Sequence, residues 1–353
     1  MKISKLFLVA LGSISLLVSC SQEDNAVPVN AGAYDAGVFI LNEGGSGQGS
    51  VSFVSNDFAN FVQDVYGTVN NSDLMGKYAQ SMFFHGDYAY IIIGGSNAIN
   101  VVNRETFKLV AKIETGLKNP RYGVAKDGKA YVTNANTYNY ENPTLGDTDD
   151  YVAVINLTTN SIETTISLNA TANRILLENG KLYITEPYSN DKVLVVNTAT
   201  NALETPITVG ADADTMKVNN GILYVMRSPY SGPGEIVKVN LTDSSITSVV
   251  FPESLSGAKN LDIFNNKIYY TVDTSVYAMD VTATSASTTA ILNYTSTSEY
   301  GKMYGFAVNN NHIFIADGGD FTANSKAYVY SLSGSLEKEL TVGVGPNGFY
   351  FNN

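Results

Sequence analysis

From residue 36 onward the hydrophobic pattern is that of short strands, not helices. A polar turn is followed by a run in which apolar residues surround a central aromatic: Gly37-Val38-Phe39-Ile40, Tyr88-Ala89-Tyr90-Ile91, Lys129-Ala130-Tyr131-Val132, Lys181-Leu182-Tyr183-Ile184, Ile222-Leu223-Tyr224-Val225, Lys267-Ile268-Tyr269-Tyr270 and His312-Ile313-Phe314-Ile315. The aromatic positions 39, 90, 131, 183, 224, 269 and 314 lie 51, 41, 52, 41, 45 and 45 residues apart. A second alternating run follows each: Ser50 to Ser55, Ala98 to Asn103, Tyr151 to Asn156, Lys192 to Asn197, Glu235 to Asn240, Ser275 to Asp280 and Lys326 to Ser331. Most end in Asn, Asp or Ser, whose side chains bond nearby backbone and close a tight turn. More polar runs, such as Phe107 to Ile113, Ile162 to Leu168 and Leu336 to Val342, suit an outer edge strand that must resist pairing with other chains.

Repeats of this length, each with several strands, predict an all-β fold: a seven-bladed β-propeller of four-stranded blades over residues 36–353. A helical solenoid is excluded because no apolar stretch keeps a 3.6-residue period beyond two turns. With the strands of a blade lettered a to d from the axis outward, strand a precedes each aromatic strand b, as Arg121-Tyr122-Gly123-Val124-Ala125 precedes Tyr131. Nothing equivalent precedes Phe39. The pattern of Pro120 to Ala125 recurs in Pro346-Asn347-Gly348-Phe349-Tyr350-Phe351, so the C-terminal strand is expected to join the first blade and close the ring.

In such a ring the a-to-b and c-to-d connections share one rim, and b-to-c and d-to-a share the other. The first rim is expected to be uniformly short, with turns such as His85-Gly86-Asp87, Lys126-Asp127-Gly128, Glu178-Asn179-Gly180, Asn219-Asn220-Gly221 and Asn265-Asn266. The second carries the length: 42–49, 134–150, 186–191, 227–234 and 317–325 between strands b and c, and 67–77, 252–258 and 293–302 between blades. Its aromatic tips, Tyr138, Tyr140, Tyr188, Tyr230, Tyr300 and Phe321, offer contact area with a polar end, and Arg227 opens one of these loops. Packing within their own loops is the equally weighted alternative. At the start of each strand a, Gln80, Arg121, Arg174, Asp214, Lys259, Tyr304 and Asn347 are expected to ring the axis, either as a binding mouth or as a self-satisfied polar network.

Composition narrows the chemistry. The net charge of −12, or −14 without Lys2 and Lys5, disfavours nucleic acid, which requires a concentrated positive surface. One cysteine excludes an internal disulfide framework and a multi-cysteine zinc site. Only two histidines occur, His85 and His312, both placed at short turns away from the mouth, so a shared histidine metal or acid-base site is not expected. Gly45-Ser46-Gly47-Gln48-Gly49 runs from strand to strand and opens no helix for a pyrophosphate. Asp147-Thr148-Asp149-Asp150 matches no complete calcium loop and reads as a solvated acidic segment. No metal, cofactor or catalytic residue is expected.

Ahead of the repeats, Lys2 and Lys5 precede an apolar run from Leu6 to Val18 that is short for a membrane span, so residues 1–19 read as a secretory leader. Leu17-Val18-Ser19-Cys20 resembles a bacterial lipoprotein box, which implies cleavage before Cys20 and its lipidation. Residues 20–35 then form a polar tether. Ser21-Gln22-Glu23-Asp24-Asn25 is similar to the acidic export signal of Bacteroidetes surface lipoproteins, implying an outer-membrane protein attached by lipid alone and exposed at the surface.

Ala130-Tyr131-Val132-Thr133-Asn134, with Leu182-Tyr183-Ile184-Thr185 and Leu223-Tyr224-Val225, resembles the YVTN-type propeller repeat. The start Phe39-Ile40-Leu41-Asn42-Glu43-Gly44 is similar to that of Bacteroidetes surface propeller lipoproteins, and the whole arrangement resembles the BtuG-type cobalamin-capturing family. That resemblance implies a non-enzymatic protein that binds cobalamin or a related corrinoid and passes it to a TonB-dependent outer-membrane transporter. The scarcity of histidine departs from streptogramin-lyase-like propellers, and the absence of Trp from quinoprotein dehydrogenases. A glycan-binding or adhesion module, and a propeller enzyme acting on a sugar or lactone, are the alternatives.

Overall fold

The computed structural model describes residues 32–71, 73–136, 149–186 and 191–353. The expected leader, Cys20 and most of the tether lie outside them. Seven antiparallel sheets form a ring, and the first joins the C-terminal strand Pro346–Asn352 to Gly37–Asn42. The other inner strands are Ala79–His85, Pro120–Lys126, Arg174–Glu178, Ala213–Asn219, Lys259–Phe264 and Gly305–Asn309. Each blade has four strands, with the outermost strand of the fourth divided into Ala202–Leu203 and Ile207–Thr208.

The seven aromatic residues of the b strands are all buried, each exposing 5% of its surface or less. Among the described residues the core divides into seven clusters, each spanning two neighbouring blades. A blade is apolar on both faces, so burying one requires its neighbours, and the ring satisfies all seven at once. The cluster of blades seven and one packs Phe314 against Phe349 and Phe351 from the closing strand, at ring separations of 5.5 and 5.2 Å.

The a-to-b turns follow directly from sequence. Asp127-Gly128, Asn179-Gly180, Asn220-Gly221, Asn265-Asn266 and Asn310-Asn311 all have positive φ at both central residues, the backbone of a type I′ hairpin. The short rim has one exception: blade six connects its c and d strands through residues 281–291. The first polar edge strand also starts later than expected, at Leu109, because Phe107 takes a left-handed conformation (φ 58°) and turns inward, 4.7 Å from the Phe39 ring. The second runs from Ser161 to Ser167, and the third, Leu336–Val342, is as expected.

Residues at the end of the expected tether already belong to the fold. Tyr34 is buried among Phe39, Phe53 and Phe107, its N–H donates to the Glu105 carbonyl, and its own carbonyl accepts from the Asn352 side chain. Arg104 in turn donates to the Asn352 side-chain oxygen. The chain therefore enters the ring, and ends, on the short-turn rim.

Candidate functional site

The inner strands do not pair evenly with their neighbours. In blades one, two, three, five and six the ladder shifts register near the start of strand a, at Leu41/Asn42, Ala79/Ser81, Pro120/Gly123, Ala213/Met216 and Lys259/Asp262. A bulge frees one or two residues from the ladder and re-aims their side chains. Here the freed residues are Asn347, Gln80, Arg121 with Tyr122, Asp214 with Thr215, and Asn260 with Leu261.

Hydrogen bonds tie each blade to the next at the same level. The Asn347 amide donates to the Ala79 carbonyl (2.8 Å), Ser81 to Arg121 (2.7 Å), Thr133 to Asn173 (2.6 Å), Thr185 to Asp214 (2.6 Å), Ser228 to Ala258 (2.9 Å) and Asn260 to Met303 (3.0 Å). The Gly345 N–H completes the circuit by donating to Ser325 Oγ at 3.2 Å. Six of these bonds satisfy backbone carbonyls at or just before the inner strands and link each blade to its neighbour.

Inside this collar the axis is hollow. A cavity of about 210 Å³ is bordered by Arg174, Lys217, Asn260, Tyr304 and Asn347. A second, of about 490 Å³, shares Arg174, Lys217 and Asn347, adds Tyr122, Asp262 and Tyr350, and extends down the axis to Phe264, Asn309 and Phe351 beside the short-turn rim. Arg174 lies 4.6 Å from the centre of the Tyr122 ring and pairs with Asp214 at 2.9 Å. Burial opposes its charge, but Asp214 and the Tyr122 phenol outweigh that and hold the guanidinium firmly protonated. Lys217 pairs with Asp262 at 2.9 Å, and Asp262 also accepts the Val308 N–H. Arg121 donates through Nε to Asn173 at 3.1 Å and has no carboxylate partner among the described residues. Gln80 donates to the Tyr122 hydroxyl at 3.1 Å. Burial, then the Glu43 carboxylate to which it donates, raise the Tyr304 phenol well above its ordinary range, and burial does the same to Tyr350.

Of the seven residues expected at the mouth, Arg174, Tyr304 and Asn347 border the cavities, and Gln80, Arg121 and Asp214 lie behind them, against Tyr122, Tyr304 and Arg174 respectively. Lys259 does not face the cavity: its side chain reaches toward blade seven and donates to the Lys302 carbonyl at 2.8 Å, while its neighbour Asn260 borders the axis. The bulge at Lys259/Asp262 causes this one-residue exchange. Arg227 braces the connection that enters its blade, donating to the Ala211 carbonyl at 2.6 Å, and pairs with Glu235 across the base of its own loop. Tyr230 is fully exposed and Tyr300 largely so, whereas Phe321 packs edge-on against Tyr304 at 4.9 Å. Tyr138, Tyr140 and Tyr188 lie outside the described residues, as do Asp147 and Thr148 of the acidic segment.

Sequence reasoning missed Tyr122, Tyr350, Lys217, Asp262 and Glu43. Strict alternation assigns one axial residue per strand start, and the bulges break that alternation. Tyrosines within the inner-strand segments themselves, Tyr122 and Tyr350, were the available signal. Elsewhere on the elaborate rim, Asp150 is buried and accepts the N–H groups of Asn136 and Ala172, each at 2.8 Å. Burial nonetheless pushes its carboxyl up to about 6. His85 and His312 are on the short-turn rim, where His312 pairs with Glu337 at 3.0 Å and packs on Phe58. Among the described residues no group of three or more His, Cys, Asp and Glu is arranged to hold a metal, and no helix is long and apolar enough to cross a membrane.

The family model described as "Domain of unknown function (DUF5074)" matches residues 36–351. No curated protein matches the sequence. Similar solved structures include a quinonprotein alcohol dehydrogenase-like protein from Bacteroides thetaiotaomicron, 17% identical, covering 91% of this chain and 79% of that one, with a TM-score of 0.66. A 6-phosphogluconolactonase-like protein from Bacteroides uniformis is 13% identical over 90% of this chain and 99% of that one, with a TM-score of 0.64. Hydrazine synthase from Kuenenia stuttgartiensis is 12% identical over 76% and 90% of the two chains, with a TM-score of 0.62. At these identities the likeness is one of fold.

Proposed function

The chain belongs to the DUF5074 family, and on that premise we propose that it captures a small molecule on its elaborate rim without transforming it. The observation that carries this reading is the convergence of Tyr122, Arg174, Tyr304, Asn347 and Tyr350 around a hollow axis. The site is rich in fixed donors and aromatic faces. The axial carboxylates Asp214 and Asp262 are each held by a cation, Arg174 and Lys217, as befits recognition more than proton transfer.

The ligand we assign is cobalamin or a related corrinoid. Its rim of amides matches the guanidinium, phenol and amide groups of the mouth, and its apolar faces suit exposed tyrosines such as Tyr230. This assignment draws on the resemblance of the repeats to the YVTN type and of the arrangement to BtuG-type surface propellers. In the same reading Cys20 carries the lipid anchor, the protein sits on the outer face of the outer membrane, and the partner is a TonB-dependent transporter. An anchor on the N-terminal segment would hold the ring by its short-turn rim, where Tyr34 enters, and leave the elaborate rim free.

Calorimetric titration of the full-length protein with cyanocobalamin tests the ligand. Saturable one-to-one binding is expected, weakened at least tenfold, about 1.4 kcal/mol, by Arg174→Met, measured below that variant's own, lowered thermal midpoint. Absence of binding at micromolar concentration would remove the corrinoid assignment. Mass spectrometry of the N-terminal peptide tests the anchor, an unacylated Cys20 being the adverse result.

A further inference from the structure

Lys259, turned away from the axis, borders a separate recess of about 280 Å³ between blades six and seven, together with Ser256, Asp273, Glu299, Tyr300 and Lys302. The walls are cross-linked. Lys302 pairs with Asp273 at 2.8 Å, and Lys259 donates to the Lys302 carbonyl. The loop carrying Tyr300 is pinned to the next one: Ser298 Oγ donates to the Gly319 carbonyl at 2.7 Å and accepts the Gly301 N–H at 2.6 Å. A Cβ on Gly301 would lie 2.7 Å from the Gly319 backbone, so the two loops touch at a point only glycine permits. This support holds Tyr300 outward, 77% exposed, at the edge of the recess.

Three features specify a ligand. The volume falls below the ~300–1,000 Å³ typical of drug-sized pockets, so it would seat a single ring. The lining combines carboxylates, Asp273 paired with Lys302 and Glu299 bonded to the Tyr300 hydroxyl, with ammonium donors, a mix that suits vicinal hydroxyl groups, and an exposed phenol ring offers a platform for an apolar ring face. The charges are unequal: Lys302 has a carboxylate partner, whereas Lys259 has none among the described residues. We propose that this recess binds one acidic sugar residue, a hexuronate, with its carboxylate on Lys259, hydroxyls on Asp273 and Glu299, and its ring face on Tyr300. Burial lowers the Lys259 ammonium below its ordinary range, with Lys302 adding to this and Asp273 and Asp317 opposing it. The cost of desolvating that amine is thus already met in the free protein, and an arriving carboxylate gains a charge-assisted bond.

The recess is independent of the axial mouth, so the proposal stands apart from corrinoid capture. Titration of the full-length protein with methyl β-D-glucuronide and methyl β-D-glucoside provides the test. The glucuronide is expected to bind at least tenfold more tightly. Lys259→Met should abolish that preference, and Tyr300→Ala, at an exposed site where folding is unaffected, should weaken both sugars several-fold. A hyaluronan tetrasaccharide with terminal glucuronate separates the two sources, tighter binding indicating a glycan and equal binding the free acid. Equal or undetectable binding of the two glycosides, or an unchanged preference in Lys259→Met, overturns the proposal. Displacement of the glucuronide by cyanocobalamin would overturn the independence of the recess.

Discussion

The two rims of this ring are built from the same blades and are opposites in design. On the short-turn rim, repeated Asn-Gly, Asp-Gly and Asn-Asn pairs close hairpins in two residues, and the turn chemistry alone fixes the geometry. The single long connection there, 281–291, is fastened down: Lys238 donates to the carbonyls of Val281 and Ala283, and Tyr270 to that of Ser287. On the elaborate rim, bulges turn side chains toward the axis, loops differ from blade to blade, and a carboxyl is buried at a cost. One rim is regular from blade to blade, and the other departs from regularity around the smaller axial cavity and the recess beside Lys259.

The comparison breaks most severely if the ring is opened. Removing residues 346–353 takes the inner strand from blade one and uncovers Phe39 and Ile40, so loss of the cooperative fold, on the order of the whole ~5–15 kcal/mol, is expected by circular dichroism. Survival of a cooperative melt would mean the blades stand independently.

A smaller effect should mark the elaborate rim. Asp150 has a folded-state value raised to about 6 by burial, above its ordinary value near 3.8, so protonation favours the folded state. Its ionisation therefore withdraws stability as pH rises from about 4 to 6, by roughly 3 kcal/mol, and none of this penalty is present below pH 4. Denaturation of the wild type and Asp150→Asn across that window should give curves that diverge in slope. Parallel curves would show the carboxyl to be ordinary.

The finest contrast sets one residue on each rim against the other. Gly221, at φ 75° with open space around it, should cost about 1 kcal/mol when replaced by Ala, purely through backbone strain, and leave capture of cyanocobalamin untouched. Tyr230→Ala, on the opposite rim, should change stability by less than about 0.5 kcal/mol while weakening capture. Reversal of these two patterns, read by thermal melts and titration side by side, would exchange the roles of the rims.

Much of the fold is legible in the chain. Seven aromatic-centred strands, the turn pairs and the match between Pro120 to Ala125 and the C-terminal segment are local patterns with a fixed physical meaning: period-two burial, positive φ and an unpaired edge. Less of the site is. Arg121, Arg174, Asp214 and Tyr304 lie at or beside the starts of inner strands, a position legible because hairpin length sets their distance from each strand b. Lys259 was exchanged for Asn260, and Tyr122, Tyr350 and Glu43 were overlooked.

By itself, then, the sequence determined the number of blades, the closing strand and the identity of the plain rim, because each depends on neighbours in the chain or on a repeat that copies itself. Only the tertiary structure decided which polar residues meet. Bulge positions, the collar of bonds from blade to blade and the lack, among the described residues, of an ion pair to Lys259 arise where strands distant in sequence pack around one axis. Their energies belong to pairs that no local pattern joins.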